Sequence, residues 1–301
     1  MAHEGSMAFP DGSTSDTTIV HKYRYTLVKG VFAQDEDDFL PSANQIQPKL
    51  GLLDDAGRWP NVRSLNDVAP EGVSYKLIIA GRHGQGFHNV AIQKYGQPAI
   101  PGRDRQDNVA IYKYGKEWST KWGVIGGDND ITWGPDPLLT SVGINQVKTA
   151  HEAWNLYAPP TPDVLYCSPL RRALRTCAIT LPGRRVKVLE DIREILTGWT
   201  CDVRSTIDAT IRNEFPDFDF SSYGSSESDP CVDLRTETAA EVAERARRVL
   251  DYIFDTEEDA QVVSITAHSD WIWALFDTVG RRRYNLSTGG ITPLLVRAEK
   301  L

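Results

Sequence analysis

The chemistry legible in this sequence rests on five residues. Arg82 and His83 stand side by side in LIIAGRHGQGFHN (77–89), between a short apolar run and a cluster of glycines. Arg172 lies in SPLRRALRT (168–176), Glu194 in IRE (192–194) and His268 in AHS (267–269). An imidazole can attack phosphorus as a nucleophile. Guanidinium and backbone N–H groups can hold phosphate oxygens and neutralise developing charge. A carboxylic acid can protonate the leaving oxygen. Such a set calls for no metal and no cofactor. Taken singly, each residue has a plainer reading: a structural histidine, a solvated arginine on a helix, a surface glutamate. What raises the chemical reading is that each follows a predicted strand.

Those strands come from short apolar runs. Tyr75–Ala80 ends on glycine and suits a strand buried on both faces. Asp163–Cys167, Val186–Leu189 and Gln261–Thr266 read the same way, and Pro293–Arg297 is a last strand. Helices fall between them. One runs from about Thr140 to Tyr157, with Val147, Ala150, Trp154 and Tyr157 on one face. Ser168-Pro169 reads as an N-cap serine and a first-turn proline, followed by Leu170, Ala173, Leu174, Cys177, Ala178 and Leu181 at helical spacing. Thr238 and Glu241 form a capping box before Val242, Ala246, Val249, Leu250 and Ile253. A final helix follows His268 and ends near Gly280. Alternating strands and helices predict an α/β three-layer sandwich, with a mostly parallel central sheet flanked by helices. Ligands of such sheets sit beyond the carboxyl ends of the strands, so His83, Ser168, Arg172, Glu194 and His268 are expected to converge on one edge.

Residues 20–72 show no clear period. They are read as part of an N-terminal extension, 1–72, packed on a domain spanning 73–301. The acidic segment 212–235, rich in Ser, Gly and Pro, breaks the alternation. It reads equally as a solvated loop or as a lid insertion over the strand ends.

At 301 residues and a net charge of −8, the chain gives no global electrostatic case for nucleic acid or an anionic membrane. No apolar run is long enough to span a bilayer, and the first residues lack a signal-peptide pattern. Cys167, Cys177, Cys201 and Cys231 form no CxxC pair; reduced thiols in a cytoplasmic protein are the simplest reading.

The ordered blocks resemble the histidine phosphatase superfamily, the phosphoglycerate mutase-like proteins. Arg82-His83-Gly84 with Asn89 is similar to the family signature. Asp136-Pro137-Leu138-Leu139-Thr140 with Gly143 and Gln146 is similar to its D-P-x-L-T-x-x-G-x-x-Q block, and residues 168–176 to its S-x-L-x-R-A-x-x-T block. Glu194 and His268 fall where the family places its acid and its second histidine. Val28–Asp35 together with RHGQGFHN looks like the fungal phosphomutase-like branch. The resemblance implies that His83 becomes phosphohistidine. Arg82, Arg172 and His268 would bind the phosphoryl group, with Asn89 in the same pocket and the glycines, Gly84 among them, letting the backbone approach. Glu194 would donate and then accept a proton, and Ser269 would offer a backbone N–H. Asp270 stands where the family usually has glycine; a carboxylate at a helix start is favourable, so it is expected to face solvent or the helix end, the alternative being an aspartate that faces the pocket and disfavours phosphate dianions or selects a substrate with a cationic or hydroxyl group.

The expected activity is metal-independent hydrolysis of a small phosphomonoester through phosphohistidine, since hydrolysis needs fewer special features than a mutase reaction. A phosphomutase remains an alternative. So does the same fold serving as a binding module, or doing acid–base chemistry on a non-phosphorylated or unusual metabolite. A dinucleotide loop is disfavoured because the glycines read G-x-x-G-x-G. A zinc site on His83, His88 and His268 matches no familiar ligand spacing.

Overall fold

The computed structural model describes residues 21–41, 46–96, 115–224, 227–230 and 236–301. Seven strands form one sheet: β1 (Tyr23–Leu27), β2 (Val73–Arg82), β3 (Val164–Cys167), β4 (Val186–Val188), β5 (Phe218–Asp219), β6 (Val262–Ala267) and β7 (Ile291–Lys300), in the order β1-β7-β2-β6-β3-β4-β5. The run from β2 through β6, β3 and β4 to β5 is parallel. β7 pairs antiparallel with both β2 and β1. Ile78, Ile79 and Ala80 on β2, and Val263 and Ile265 on β6, are almost fully buried, which is why these strands read as short apolar runs without strict alternation.

Among the described residues the α-helices are α1 (Val62–Asp67), α2 (Phe87–Tyr95), α3 (Ser141–Tyr157), α4 (Arg171–Thr180), α5 (Ala209–Glu214), α6 (Ala239–Thr256) and α7 (Ser269–Val279). On one side of the sheet, Val249, Leu250 and Ile253 of α6 and Leu275 and Phe276 of α7 pack against Ile78, Val263 and Leu294. On the other, Ala150, Trp154 and Tyr157 of α3 pack with Leu77, Ile79 and Leu295. The Thr238 and Glu241 capping box forms as expected, and α7 stops at Gly280, whose φ of 78° is left-handed.

The stretch without a clear period builds β1 at the sheet edge and the short helix α1. Asp35, which follows Phe32, makes a buried ion pair of 2.5 Å with Arg281. Within 212–235, residues 225–226 and 231–235, Cys231 among them, lie outside the described residues. The described part supplies β5 and buries Phe215, Phe220 and Tyr223 against Leu165, Leu174 and Val186.

One helix start differs from the expectation. The helix after β3 is capped at Leu170 and begins at Arg171, so Ser168 is not its N-cap and Pro169 is not its first residue. The Ser168 hydroxyl instead lies 2.7 Å from His268 Nε2.

Candidate active site

The parallel strands deliver their carboxyl ends to one edge. β2 hands over Arg82 and His83, β3 leads through Ser168 to Arg172 on α4, β4 leads to Glu194, and β6 ends at His268. Arg82, His83, Arg172 and Glu194 line one pocket there, joined by Asn89, Ser269 and Asp270. His268 is fully buried behind this surface, with its ring centroid 4.9 Å from that of His83.

The His83 loop is held from beneath. Thr140, the N-cap of α3, donates its backbone N–H to Gln85 O at 2.9 Å. Gln146 Oε1 accepts from Gln85 N at 2.8 Å. Gly143 lies so close that a Cβ there would stand 2.1 Å from Gln85 O. The D-P-x-L-T-x-x-G-x-x-Q block is therefore a bed for the loop that presents His83. Asp136 in that block accepts backbone N–H bonds from Arg171 and Ser205, tying the start of α4 to the loop after Asp202. Gly84 faces the same bed: its N–H donates to Thr176 Oγ1 at 3.0 Å, and a Cβ on it would meet Gly143 O at 2.6 Å. It packs beneath the pocket and does not line it.

The tautomer of His83 follows from its partner. Nδ1 lies 2.7 Å from Gly84 O. A carbonyl oxygen only accepts, so Nδ1 carries the hydrogen and Nε2 keeps a lone pair. Burial, then the guanidiniums of Arg172 and Arg82, push the His83 pKa well below its usual value, which keeps the ring neutral. His268 and His88 are pushed down the same way, by burial first and then by Arg172. A neutral imidazole with a lone pair beside two guanidiniums can attack an electrophilic phosphorus held by those cations.

Arg82 donates Nη1 to Leu286 O at 2.7 Å, and Arg172 donates Nη1 to Cys201 O at 2.8 Å. The buried Nε of each has no hydrogen-bond partner within the protein. Asn89 accepts from Gly86 N at 2.9 Å through Oδ1, so its amide N–H groups are the donors it has left to offer. Ser269 is the first residue of α7.

Glu194 sits at the start of α7. Its Oε1 accepts from Ile195 N at 3.0 Å, Asp270 N at 3.1 Å and Trp271 N at 3.4 Å. Its backbone is fixed by a buried arginine of α6. Arg245 pairs with Glu237 at 2.8 Å and donates to the carbonyls of Asp191, Arg193 and Glu194 at 2.8, 3.0 and 3.3 Å.

Several wall residues were not singled out by sequence reasoning: Ile92, Ile195, Thr197, Cys201 and Asp202. Asp202 lies 4.0 Å from Arg172, and burial pushes its pKa up. They fall in loops and on α2, where no periodicity marks them. His88 was weighed only as a metal ligand; it lines the pocket with its ring 5.3 Å from His83. Trp199 lines the pocket, whereas Trp133 and Trp271 are fully buried and do not. Asp270 is half-buried and belongs to the residues around the pocket, and its backbone N–H donates to Glu194 Oε1 at 3.1 Å.

The model of the histidine phosphatase superfamily, branch 1, matches residues 119–287. A relative described as a probable phosphoglycerate mutase, from Arthroderma benhamiae, is 32% identical over 94% of this chain and 87% of its own length. The chain belongs to the histidine phosphatase superfamily. The family match starts after Arg82-His83-Gly84, and the fold brings that motif against Arg172 and His268, both inside it. A second relative, phosphomutase-like protein 3 of Candida albicans, is 27% identical over 94% of this chain and 82% of its own. Among solved structures, the ecdysone phosphate phosphatase from Bombix mori in complex with tungstate aligns with a TM-score of 0.45 and 18% identity, over 72% of this chain and 87% of that one.

Proposed function

We propose that this protein is a phosphatase that hydrolyses a small phosphomonoester through a phosphohistidine on His83. The observation that carries the reading is the Nδ1 contact to Gly84 O. It leaves Nε2 as the nucleophile, neutral and beside two guanidiniums.

In the first step Arg82, Arg172 and His268 hold the phosphoryl oxygens, with Asn89 and the Ser269 N–H adding donors. His83 Nε2 attacks phosphorus, a P–N bond forms and the P–O ester bond breaks. Glu194, as the carboxylic acid, gives its proton to the leaving oxygen. In the second step Glu194, now a carboxylate, takes a proton from water. The water oxygen attacks phosphorus, the P–N bond breaks, and inorganic phosphate leaves with the imidazole restored. Residues 73–301 make up the catalytic unit. Residues 1–72 are its extension. The three described cysteines are free thiols, in keeping with a cytoplasmic enzyme. Among the described residues no helix is long and apolar enough to cross a membrane.

The relatives' names favour one second reading, a phosphomutase that returns the phosphoryl group to a bound intermediate. The test is a phosphate-trapping experiment with a panel of phosphomonoesters. Mass-shifted His83 and released phosphate are expected in the wild type. His83→Ala should abolish both. Glu194→Gln should slow turnover by about 10²–10⁴-fold with binding largely kept. Near-normal turnover by His83→Ala rules out covalent catalysis, and transfer to a bound ester without phosphate release establishes the mutase.

A further inference from the structure

We infer that Asp229, in the acidic segment between α5 and α6, is a positioning residue: through Arg193 it fixes the loop that aims Arg172 at the phosphoryl group. The inference rests on the phosphoryl-transfer reading above. Asp229 does not itself line the pocket. Its carboxylate is almost fully buried and grips the Arg193 guanidinium with both oxygens, at 2.8 Å from Nη1 and 3.0 Å from Nη2. The same carboxylate accepts from the backbone N–H of Arg204 at 2.6 Å. Glu190 closes the cluster, accepting from Arg193 Nη1 at 2.6 Å and from Arg204 Nε at 2.9 Å. Arg204 in turn donates to the carbonyls of Glu227 and Ser228 at 3.0 and 3.1 Å. Residues 227–229 are thereby bound at several points to the segment that carries Glu194, Cys201 and Asp202.

The link to the pocket runs through two adjacent carbonyls. Arg193 Nη2 also donates to Asp202 O. The carbonyl before it, Cys201 O, accepts Arg172 Nη1 at 2.8 Å. Arg172 is fully buried and lines the pocket, so the place of Cys201 O sets the plane of a guanidinium that must meet phosphate oxygens. A guanidinium held by two N–H groups on one carboxylate has a fixed orientation, and Asp229 passes that orientation through Arg193 to Asp202 O. Cys201 O and Asp202 O lie on neighbouring peptide planes joined at one Cα, so freeing the second loosens the first. Buried ion pairs are weak evidence for stability. Their use here is placement, since groups acting on a reacting centre must be held to within about 0.5 Å by the residues behind them.

The experiment uses the full-length protein and two variants. Asp229→Asn keeps an acceptor for the Arg204 N–H but removes the charge that grips Arg193. Arg193→Met combined with Asp229→Asn removes both charges of the pair, and Glu190 keeps its bond from Arg204. Affinity for inorganic phosphate is measured by calorimetry, kcat/KM with p-nitrophenyl phosphate and phenyl phosphate, and folding by a urea melt. Phosphate binding calls on Arg172 and needs no proton from Glu194. We expect phosphate affinity to fall at least threefold in Asp229→Asn and at least tenfold in the double variant. The values of kcat/KM for the two esters should fall together, within threefold of each other. The double variant should be more stable than Asp229→Asn without regaining phosphate affinity. Wild-type phosphate affinity in either folded variant makes the cluster merely structural and overturns the inference. A loss confined to phenyl phosphate, the poorer leaving group, also overturns it, because that places the effect on Glu194. If the wild type binds phosphate but hydrolyses no ester and labels no His83, the phosphatase reading fails while the affinities still decide the role of Asp229. A wild type that binds no phosphate sinks both.

Discussion

Gly143→Ala separates the stability of the fold from the placement of His83. In the structure a Cβ at this position would lie 2.1 Å from Gln85 O, 2.8 Å from Gln85 N and 2.9 Å from Gln85 C. These are backbone atoms, so no side chain can swing aside. Reaching an ordinary 3.4 Å contact needs a displacement of about 1.3 Å, by α3 or by the loop. α3 is seventeen residues long and anchored by Val147 and Ala150 in the core, so the loop is the part that moves. Overpacking of this kind costs about 1–3 kcal/mol. Alanine in a helix recovers about 1 kcal/mol over glycine. The net loss of stability is therefore small, roughly 0–2 kcal/mol. The rate should fall much further, because a misplacement of about 1 Å in a reacting group costs on the order of 10²-fold, and Gln85 is two residues from His83. Single-turnover labelling of His83, read beside a urea melt, tests this. Gly224→Ala is the matched control, since a Cβ there meets nothing within 4 Å. A Gly143→Ala enzyme that labels His83 within threefold of the wild-type rate would refute the claim that α3 sets the loop.

Two further predictions concern the buried charges. His83, His88 and His268 are all held well below their ordinary pKa by burial, whereas in the unfolded chain they titrate near 6.5. The folded state thus binds fewer protons. Stability should be complete above pH 6.5 and fall as pH drops below it, by up to about 1.4 kcal/mol per pH unit for each histidine; a urea midpoint that stays level from pH 8 to 5 contradicts this. Arg245→Met removes the donor that fixes the carbonyls of Asp191, Arg193 and Glu194 and takes from the buried Glu237 carboxylate its ion pair with Arg245. It should cost about 3–5 kcal/mol and lower kcat with little change in KM, because Glu194 loses its aim while the phosphate groups keep theirs. A fall in stability with kcat untouched would make Arg245 merely structural.

The sheet was legible because its strands are buried on both faces. Tyr75–Ala80 and Gln261–Thr266 are short and mostly apolar, and they became β2 and β6 with boundaries shifted by a few residues. The helices were legible from a 3.6-residue period, and α6 from its capping box as well. The candidate catalytic residues were legible for a related reason: each lies at the end of a strand or in the segment that follows one, and parallel strands share one carboxyl edge, so order along the chain already implies nearness in space.

What stayed hidden are contacts between segments far apart in sequence, which leave no periodic trace. Ser168 reads locally as a helix cap. Its partner is His268, one hundred residues away, and only the pairing of β3 with β6 brings the two together. Asp270 reads locally as a favourable helix-start carboxylate. It joins the residues around the pocket because β6 ends beside β2, which brings the start of α7 next to His83. The wall residues Ile92, Ile195 and Trp199 lie on a short helix and in loops, where composition is uninformative and position is decided by what the sheet places next to them. Residue types and their order along the chain determined which groups can do chemistry. Long-range strand pairing decided which of them face one another, because strand partners are chosen by the packing of the whole sheet and not by any local preference.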